Sequence, residues 1–317
     1  MSSILECIRT VGRGERGRKP LSFDQACRVM DEYLNGECDD DQMAMLLMLI
    51  RVQNETQQEI AGFVKAFQSR MPAIGADIDW PCYAGKREAA GPPWHLLAAK
   101  ILADNGHKVL MHGYHDRQSG RLHAEDYLDK FGIKKAQSAL EAKQILETQN
   151  IAYLPLSAFA PQAEIMIGWK NRYGLRTPIN TVVRALNPGQ ATIGIRGSFH
   201  PGFQQLHAEV EYEIGQTRHA VVSFKGQSGE SEYNPKVSQT IWQSQTIGVT
   251  SHYWTEQMLS ELPMPLSCLF DTTPENRNQM ANTVLATMTV VLFAETQDRE
   301  SAFERSFSYW QDYCSQL

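Results

Sequence analysis

An α/β protein that begins with a small helical unit is the fold class this sequence predicts, and three observations carry it. Segments with helix caps and helical apolar spacing fill the chain to about residue 75. From about residue 76 helices alternate with short apolar strands, the pattern of an α/β sheet. The 317 residues, 42% hydrophobic and 21% charged, have ordinary globular composition and suffice for two domains or one large α/β unit. The predicted division is therefore a helical domain over 1–75 and an α/β domain over 76–317.

The elements follow in order. "SFDQACRVMDEYLNG" opens on Ser22 as N-cap and closes on Gly36, a residue free to take the left-handed conformation past a helix end. "DDDQMAMLLMLIRVQ" starts with acids that suit a helix N-terminus, and its core is apolar nearly all round, which predicts burial on several sides. In "TQQEIAGFVKAFQSRM" Thr56 and Glu59 have capping-box spacing, and Ile60, Phe63, Val64 and Phe67 share one face. Three short helices, one with so much apolar surface, are most simply explained by dimerisation. "CYAGKREAAGPPW" (82–94) joins a short strand to a helix ending near Gly106, and a strand spans Lys108 to His112. "AEDYLDKFGIKK" and "LEAKQILETQNIAYLPL" repeat helix then strand, and "RHAVVSFKG" adds another strand. A long apolar helix, "PENRNQMANTVLATMTVVLFAE", precedes a polar-aromatic one at the C-terminus.

Composition narrows the function. The longest apolar run, "MAMLLMLI", is far too short to span a bilayer, and the first twenty residues lack the apolar core and cleavage site of a secretory signal. Six scattered cysteines (Cys7, Cys27, Cys38, Cys82, Cys268, Cys314) with no CxxC pair fit free thiols in a reducing cytoplasm, and the nine histidines show no metal-binding spacing. A cytoplasmic protein with no membrane partner is expected. A net charge of −6 and a pI near 5.9 disfavour a globally basic nucleic-acid binder, yet the charge is uneven. "RTVGRGERGRK" (9–19) holds four arginines and a lysine against one glutamate, and "WKNRYGLR" (169–176) is basic and aromatic without an acid.

"LNGECDDDQMAMLLMLIRVQNETQQEIAGFVKAF" (34–67) resembles the N-terminal helical domain of anthranilate phosphoribosyltransferases, members of glycosyltransferase family 3. "KVLMHG" (108–113), "LRTPINTVVRALNP" (175–188) and the helix around 281–294 extend the resemblance over nearly the whole chain. It implies a nucleoside phosphorylase/phosphoribosyltransferase-like architecture, with the helical domain completed by about 162–190, and a homodimer formed through the helical domains.

The resemblance also implies a donor site, and the sequence departs from it at most positions. The family's "GTGGDG" loop binds pyrophosphate through main-chain amides and needs glycines because a Cβ would block the approach. Here "CYAGKREAAGPP" keeps Gly85 and Gly91, and its prolines lack donors. "MHGYHDRQSGRLHAED" keeps His112 and Gly113 but lacks the tandem serines of "KHGNRxxSSxxGSAD". The magnesium-holding Asp-Glu pair is reduced to Ser231 and Glu232, and the carboxylate-gripping arginine is matched by Lys170, which lacks a bidentate fork. Loss of most of four elements argues against phosphoribosyl transfer, so no cofactor is expected.

"IRTVGRGERGRK", His200–Pro201 and "GESEYNP" before Lys236 are more similar to the YbiB-like branch, which the resemblance describes as nucleic-acid-binding. It implies a dimer that takes single-stranded DNA or RNA with little sequence preference. Its phosphates would be met by Arg13, Arg16, Arg18 and Lys19, by Lys86 and Arg87 in place of the loop's glycines, and by Lys170, Arg172 and Arg176 beside Trp169 and Tyr173. The bland readings are a solvated N-terminal run, exposed loop charges at Lys86 and Arg87, and packing roles for Trp169 and Tyr173. A transferase using phosphoribosyl pyrophosphate with an unknown acceptor, with magnesium on Glu232 and Asp126, is the enzymatic alternative; a protein-interacting scaffold is the third.

Overall fold

The computed structural model describes residues 3–215, 220–265 and 273–316. Arg218 and His219 of the predicted "RHAVVSFKG" strand, and Cys268, lie outside the described residues.

Four helices form the N-terminal unit, one more than predicted: α1 (Ser3–Val11), α2 (Phe23–Leu34), α3 (Asp40–Val52) and α4 (Gln57–Gln68). The additional α1 buries Ile4, Cys7 and Val11, at i, i+3 and i+7 on one face, with Leu5 and Ile8 beside them, so its helical spacing is present in the sequence and was overlooked. Ser22 and Thr56 accept hydrogen bonds from the backbone N–H groups of Gln25 and Glu59, closing capping boxes at α2 and α4. Glu59 also accepts from the Leu21 N–H at 3.0 Å, so the α4 cap fixes the approach to α2.

Seven strands make one sheet: β1 (Ile78–Cys82), β2 (Val109–Gly113), β3 (Ile151–Pro155), β4 (Ile193–Ser198), β5 (Ala220–Lys225), β6 (Gln239–Gln245) and β7 (Gly248–Trp254). Their order is β3-β2-β1-β4-β5-β6-β7; the first five are parallel and the last two join antiparallel. The helix-then-strand reading fails at 124–135. There a 3₁₀ helix (Ala124–Phe131) ends at Gly132 in the left-handed conformation, and the following residues make only an isolated bridge from Lys135 to Tyr153.

The remaining helices are α5 (His95–Asp104), α6 (Ala139–Gln149), α7 (Pro161–Gly168), α8 (Lys170–Tyr173), α9 (Ile179–Val182), α10 (Phe203–Ile214), α11 (Pro274–Thr296) and α12 (Arg299–Gln316). Strand alternation sorts the core. Val109 and Met111 of β2 join Trp80, α5 and α11 on one side, whereas Leu110 joins the other cluster, which continues into α1–α4 and α10. Ala163, Met166, Trp169, Ile179, Val182 and Leu186 belong to that second cluster, so the 161–186 segment packs on the N-terminal helices. Helix α11 is buried on nearly every side, as its uniform apolarity predicts. No helix among the described residues is long and apolar enough to cross a membrane, and Cys7, Cys27, Cys38, Cys82 and Cys314 are free thiols.

Candidate functional site

A cavity of about 410 Å³ opens between the helical unit and the carboxyl ends of β1, β4 and β5, where open α/β sheets commonly hold ligands. Five arginines from four parts of the chain line it: Arg51 from the end of α3, Arg87 from the loop after β1, Arg121, and Arg176 with Arg184 from the segment running through α9. Among the described residues the only carboxylate in the lining is Glu55. Glu55 is already engaged, by Arg51 Nη1 at 3.3 Å and the Thr181 hydroxyl at 3.1 Å. Among the described residues no carboxylate lies within ion-pair distance of the other four.

Two of those four are held by main-chain carbonyls. Arg121 Nη1 donates to the carbonyls of Ala84, Gly85 and Ser228 at 3.1–3.2 Å. Arg184 donates to Gly197, Asn180 and Gly229 at 3.2, 2.7 and 3.3 Å. These bonds fix position without neutralising charge. Burial lowers the pKa of Arg176, and Arg121 and Arg51 add to the effect against the opposing pull of Asp116. Burial likewise lowers Arg184, with Glu230 opposing and Arg176 reinforcing. His207, also on the wall, is pushed well below its usual value by burial, then by Arg184 and Arg196. Mutually repelling, partly desolvated cations in a concave site mark a place that gains from an anion.

The loop beneath the cavity is closed from inside. Glu230 Oε1 accepts the Ala84 N–H at 2.8 Å and the Gly85 N–H at still closer range. A carboxylate of the protein thus occupies main-chain amides of the kind the family resemblance assigns to pyrophosphate. Gly85 has φ +66°, and an added Cβ would lie 2.9 Å from the side chains of Arg121 and His123, so the surviving glycine serves a tight turn. Gly91, at φ +74°, caps the short 3₁₀ turn of the same loop.

Several expectations need correction. Lys86 does not line the cavity; it is fully buried, pairing with Glu232 Oε1 at 2.5 Å and donating to the Pro92 carbonyl at 2.5 Å. Glu232 is correspondingly no exposed metal remnant. Its second oxygen takes the His95 N–H at 2.9 Å and Nδ1 at 3.1 Å. Burial alone would raise Glu232, but Lys86 and His95 outweigh it and hold the carboxyl below its usual range. Asp126 sits apart, within 3.4 Å of His115 and bonding the His123 N–H. His112 is not in the donor loop but inside β2, where it meets Asp79 at 3.0 Å and the Tyr83 hydroxyl at 2.7 Å. That Asp79 also binds Arg196, itself paired with Glu211, each at 2.7 Å. Gly113 ends β2 where a Cβ would lie 2.3 Å from the Cys82 carbonyl, so close strand approach requires it.

Arg87 and Arg176 do share the cavity, but Lys170 and Arg172 do not. Lys170 pairs with Asp116 at 3.2 Å beside a second hollow of about 420 Å³ lined by Asp116 and Asn171, and the guanidinium of Arg172 lies 5.5 Å from the Tyr173 ring. Trp169 is buried against Tyr33 and so packs rather than stacks on a ligand. Arg13, Arg16, Arg18 and Lys19 are outside the cavity lining, although Gln53 Nε2 ties the start of their loop to α3 through the Val11 carbonyl at 2.6 Å.

Sequence reasoning missed Arg51, Arg121 and Arg184. The one available signal was Arg184, a lone cation inside the apolar run "TVVRAL". It also missed a buried trio, Cys82, His95 and Glu230, whose donor atoms all lie within 4.8 Å of one another. Burial, then Glu230, raises Cys82 well above the usual thiol value.

Comparison with known proteins sets this geometry in context. Residues 5–71 match the sequence model of the glycosyl transferase family helical bundle domain. Anthranilate phosphoribosyltransferase of Bacillus caldotenax is 31% identical over 199 residues, covering 62% of this chain and 82% of that protein. The enzyme of the same name from Geobacillus kaustophilus is also 31% identical over 199 residues, and there the match spans only 58% of the relative's length. The Escherichia coli uncharacterized protein YbiB is 27% identical over 238 residues, covering 72% of this chain and 72% of that protein. Among solved structures, anthranilate phosphoribosyltransferase from Thermus thermophilus superposes with TM-score 0.74 at 20% identity, covering 98% of this chain and 94% of that one.

Proposed function

The chain belongs to the anthranilate phosphoribosyltransferase family, glycosyltransferase family 3, and we propose that it acts as a YbiB-like homodimer binding single-stranded DNA or RNA without catalysis. One observation carries the reading: Arg87, Arg121, Arg176 and Arg184 converge on one cavity, and among the described residues none has a carboxylate within ion-pair distance. Guanidinium forks match phosphate oxygens, and neutralising phosphates releases counterions whatever the base sequence. Phe199, 42% exposed, and His200 stand at the cavity wall as surfaces on which bases can stack.

The transferase alternative is weaker on the same residues. Phosphoribosyl transfer needs a held diphosphate and its metal. Here the Ala84 and Gly85 amides hold Glu230, while Glu232 holds Lys86 and His95.

Dimerisation is supported by apolar side chains left exposed on α1 and α3: Leu5 at 39%, Met45 at 56% and Val52 at 67%. Light scattering of a Met45→Glu/Val52→Glu variant should give the mass of one chain where the parent gives two. Identical masses would remove this face as the interface.

The nucleic-acid reading is tested by polarisation titration with an unstructured oligonucleotide at about 50 mM and about 200 mM salt. Binding that weakens steeply with salt is expected; no binding at the lower salt overturns it. Micromolar calorimetric binding of phosphoribosyl pyrophosphate with magnesium would favour the transferase instead.

A further inference from the structure

We propose that the arginine cavity captures the terminal phosphate of a nucleic-acid strand in preference to an internal phosphodiester. This rests on the nucleic-acid reading above and adds which part of the strand enters the site.

Charge is the first argument. Among the described residues the lining carries five guanidinium groups and one carboxylate; Arg51 pairs with Glu55, and the other four have no ion-pair partner, with only the single buried charge of Glu230 beneath them. An internal phosphodiester brings a single negative charge, whereas a terminal phosphomonoester brings about −1.5 to −2 near neutral pH. Arg121 and Arg51 disfavour the charged form of Arg176, and Arg176 disfavours that of Arg184, so each further negative charge brought to the cavity relieves repulsion among them. The second charge therefore finds a use here that a surface groove would not give it.

Shape is the second argument. The walls come from the end of α3, the loop after β1, the Arg121 segment, the 176–184 segment, the end of β4 with the start of α10, and the turn at Ser228–Gly229. Six segments around about 410 Å³ make a concave pocket within the size range of small-molecule sites, room for a terminal phosphate with its nucleoside. A strand crossing the surface can dip one phosphate into such a pocket only by bending sharply on both sides. A strand end enters without that bend.

Preorganisation is the third. Arg121 and Arg184 are already clamped by main-chain carbonyls, so their charges need no ordering on binding. Arg87 and Arg176 keep solvent-exposed surface, although the cavity partly desolvates Arg176, and the Arg87 guanidinium rests 5.5 Å from the Phe199 ring. They are the two that can swing onto a monoester's three free oxygens, a number an internal phosphate does not have.

The test uses one unstructured oligonucleotide prepared with hydroxyls at both ends, with a 5′-phosphate, and with a 3′-phosphate, titrated against the full chain and against Arg176→Gln. One phosphorylated form should bind at least about fivefold more tightly than the dihydroxyl strand, and the preference should vanish in Arg176→Gln, whose exposed position leaves folding intact. Adenosine monophosphate should compete for the preferred strand end. Equal affinity for all three strands overturns end capture while the nucleic-acid reading stands. Absence of binding to any of them overturns both, and a preference that survives in Arg176→Gln places the end-binding site elsewhere.

Discussion

Lys86 and Arg87 are adjacent in the chain and opposite in circumstance. Lys86 lies fully buried against Glu232, in a cluster where His95 takes the carboxylate's other oxygen and every formal charge has a partner. Arg87, one residue on, is exposed and lines a cavity shared with Arg121, Arg176 and Arg184, none of which has a carboxylate partner among the described residues. The contrast teaches that a basic side chain in the loop after β1 says little by itself. Whether it acts on ligand or on fold depends on whether a counter-charge has been built into the protein beside it. The same loop shows both outcomes, since its amides are closed by Glu230 while its arginine stays open.

The two regions should respond differently to mutation, and the largest effect is expected on the satisfied side. Lys86→Met leaves Glu232 buried without its principal counter-ion, and breaking such a pair typically costs about 3–5 kcal/mol. Urea unfolding should register that loss; a change below about 1 kcal/mol would mean the pair is not structural. On the open side, Arg176→Gln should weaken oligonucleotide binding about tenfold, roughly 1.4 kcal/mol, with the urea midpoint unmoved. A fall in stability with unchanged affinity would reverse the assignment of the two regions.

Glu230→Gln sharpens the comparison, because the amide oxygen can still accept from Ala84 and Gly85 while the negative charge beneath the arginines disappears. Affinity for the oligonucleotide should rise about twofold to fivefold, of order 0.4–1 kcal/mol; weaker binding would show that the carboxylate shapes the site more than it screens it. Smaller still is the pH effect of His207. The unfolded chain protonates its histidines near pH 6.5, whereas His207, buried beside Arg184 and Arg196, resists protonation until well below that. The unfolded state then binds more protons, so stability is full above about pH 6.5 and declines as pH falls toward the depressed folded value. His207→Asn should flatten that decline, and an unchanged pH profile would show that the histidine is not buried as the structure has it.

How much of this the sequence made legible follows from where each signal resides. Helix caps and periodicity are local, so α2, α3 and α4 stand out at Ser22, Asp39 and Thr56, as does the strand at 109–113. The four-residue helix α8 and the 3₁₀ segment at 124–131 carry no such period, so local pattern blurs the first and misassigns the second. The site is a tertiary event. Arg87 and Arg176 stand out because they sit in basic runs, but Arg51, Arg121 and Arg184 are scattered singly, and nothing local says that they meet. Lys86 resembles Arg87 in sequence because its counter-ion lies 146 residues away. The basic runs themselves mislead at Lys170, where Asp116, distant in sequence, supplies the missing acid.

The central claim is that the unmatched arginines form the anion site while the loop's other charges hold the fold. Its most direct test is the salt dependence of single-strand binding by the parent chain and by Arg87→Gln/Arg176→Gln. Losing two phosphate contacts should shrink the log–log slope by about 1.4, at roughly 0.7 per contact. A slope that stays the same, with binding intact, would place the phosphates elsewhere and contradict the account.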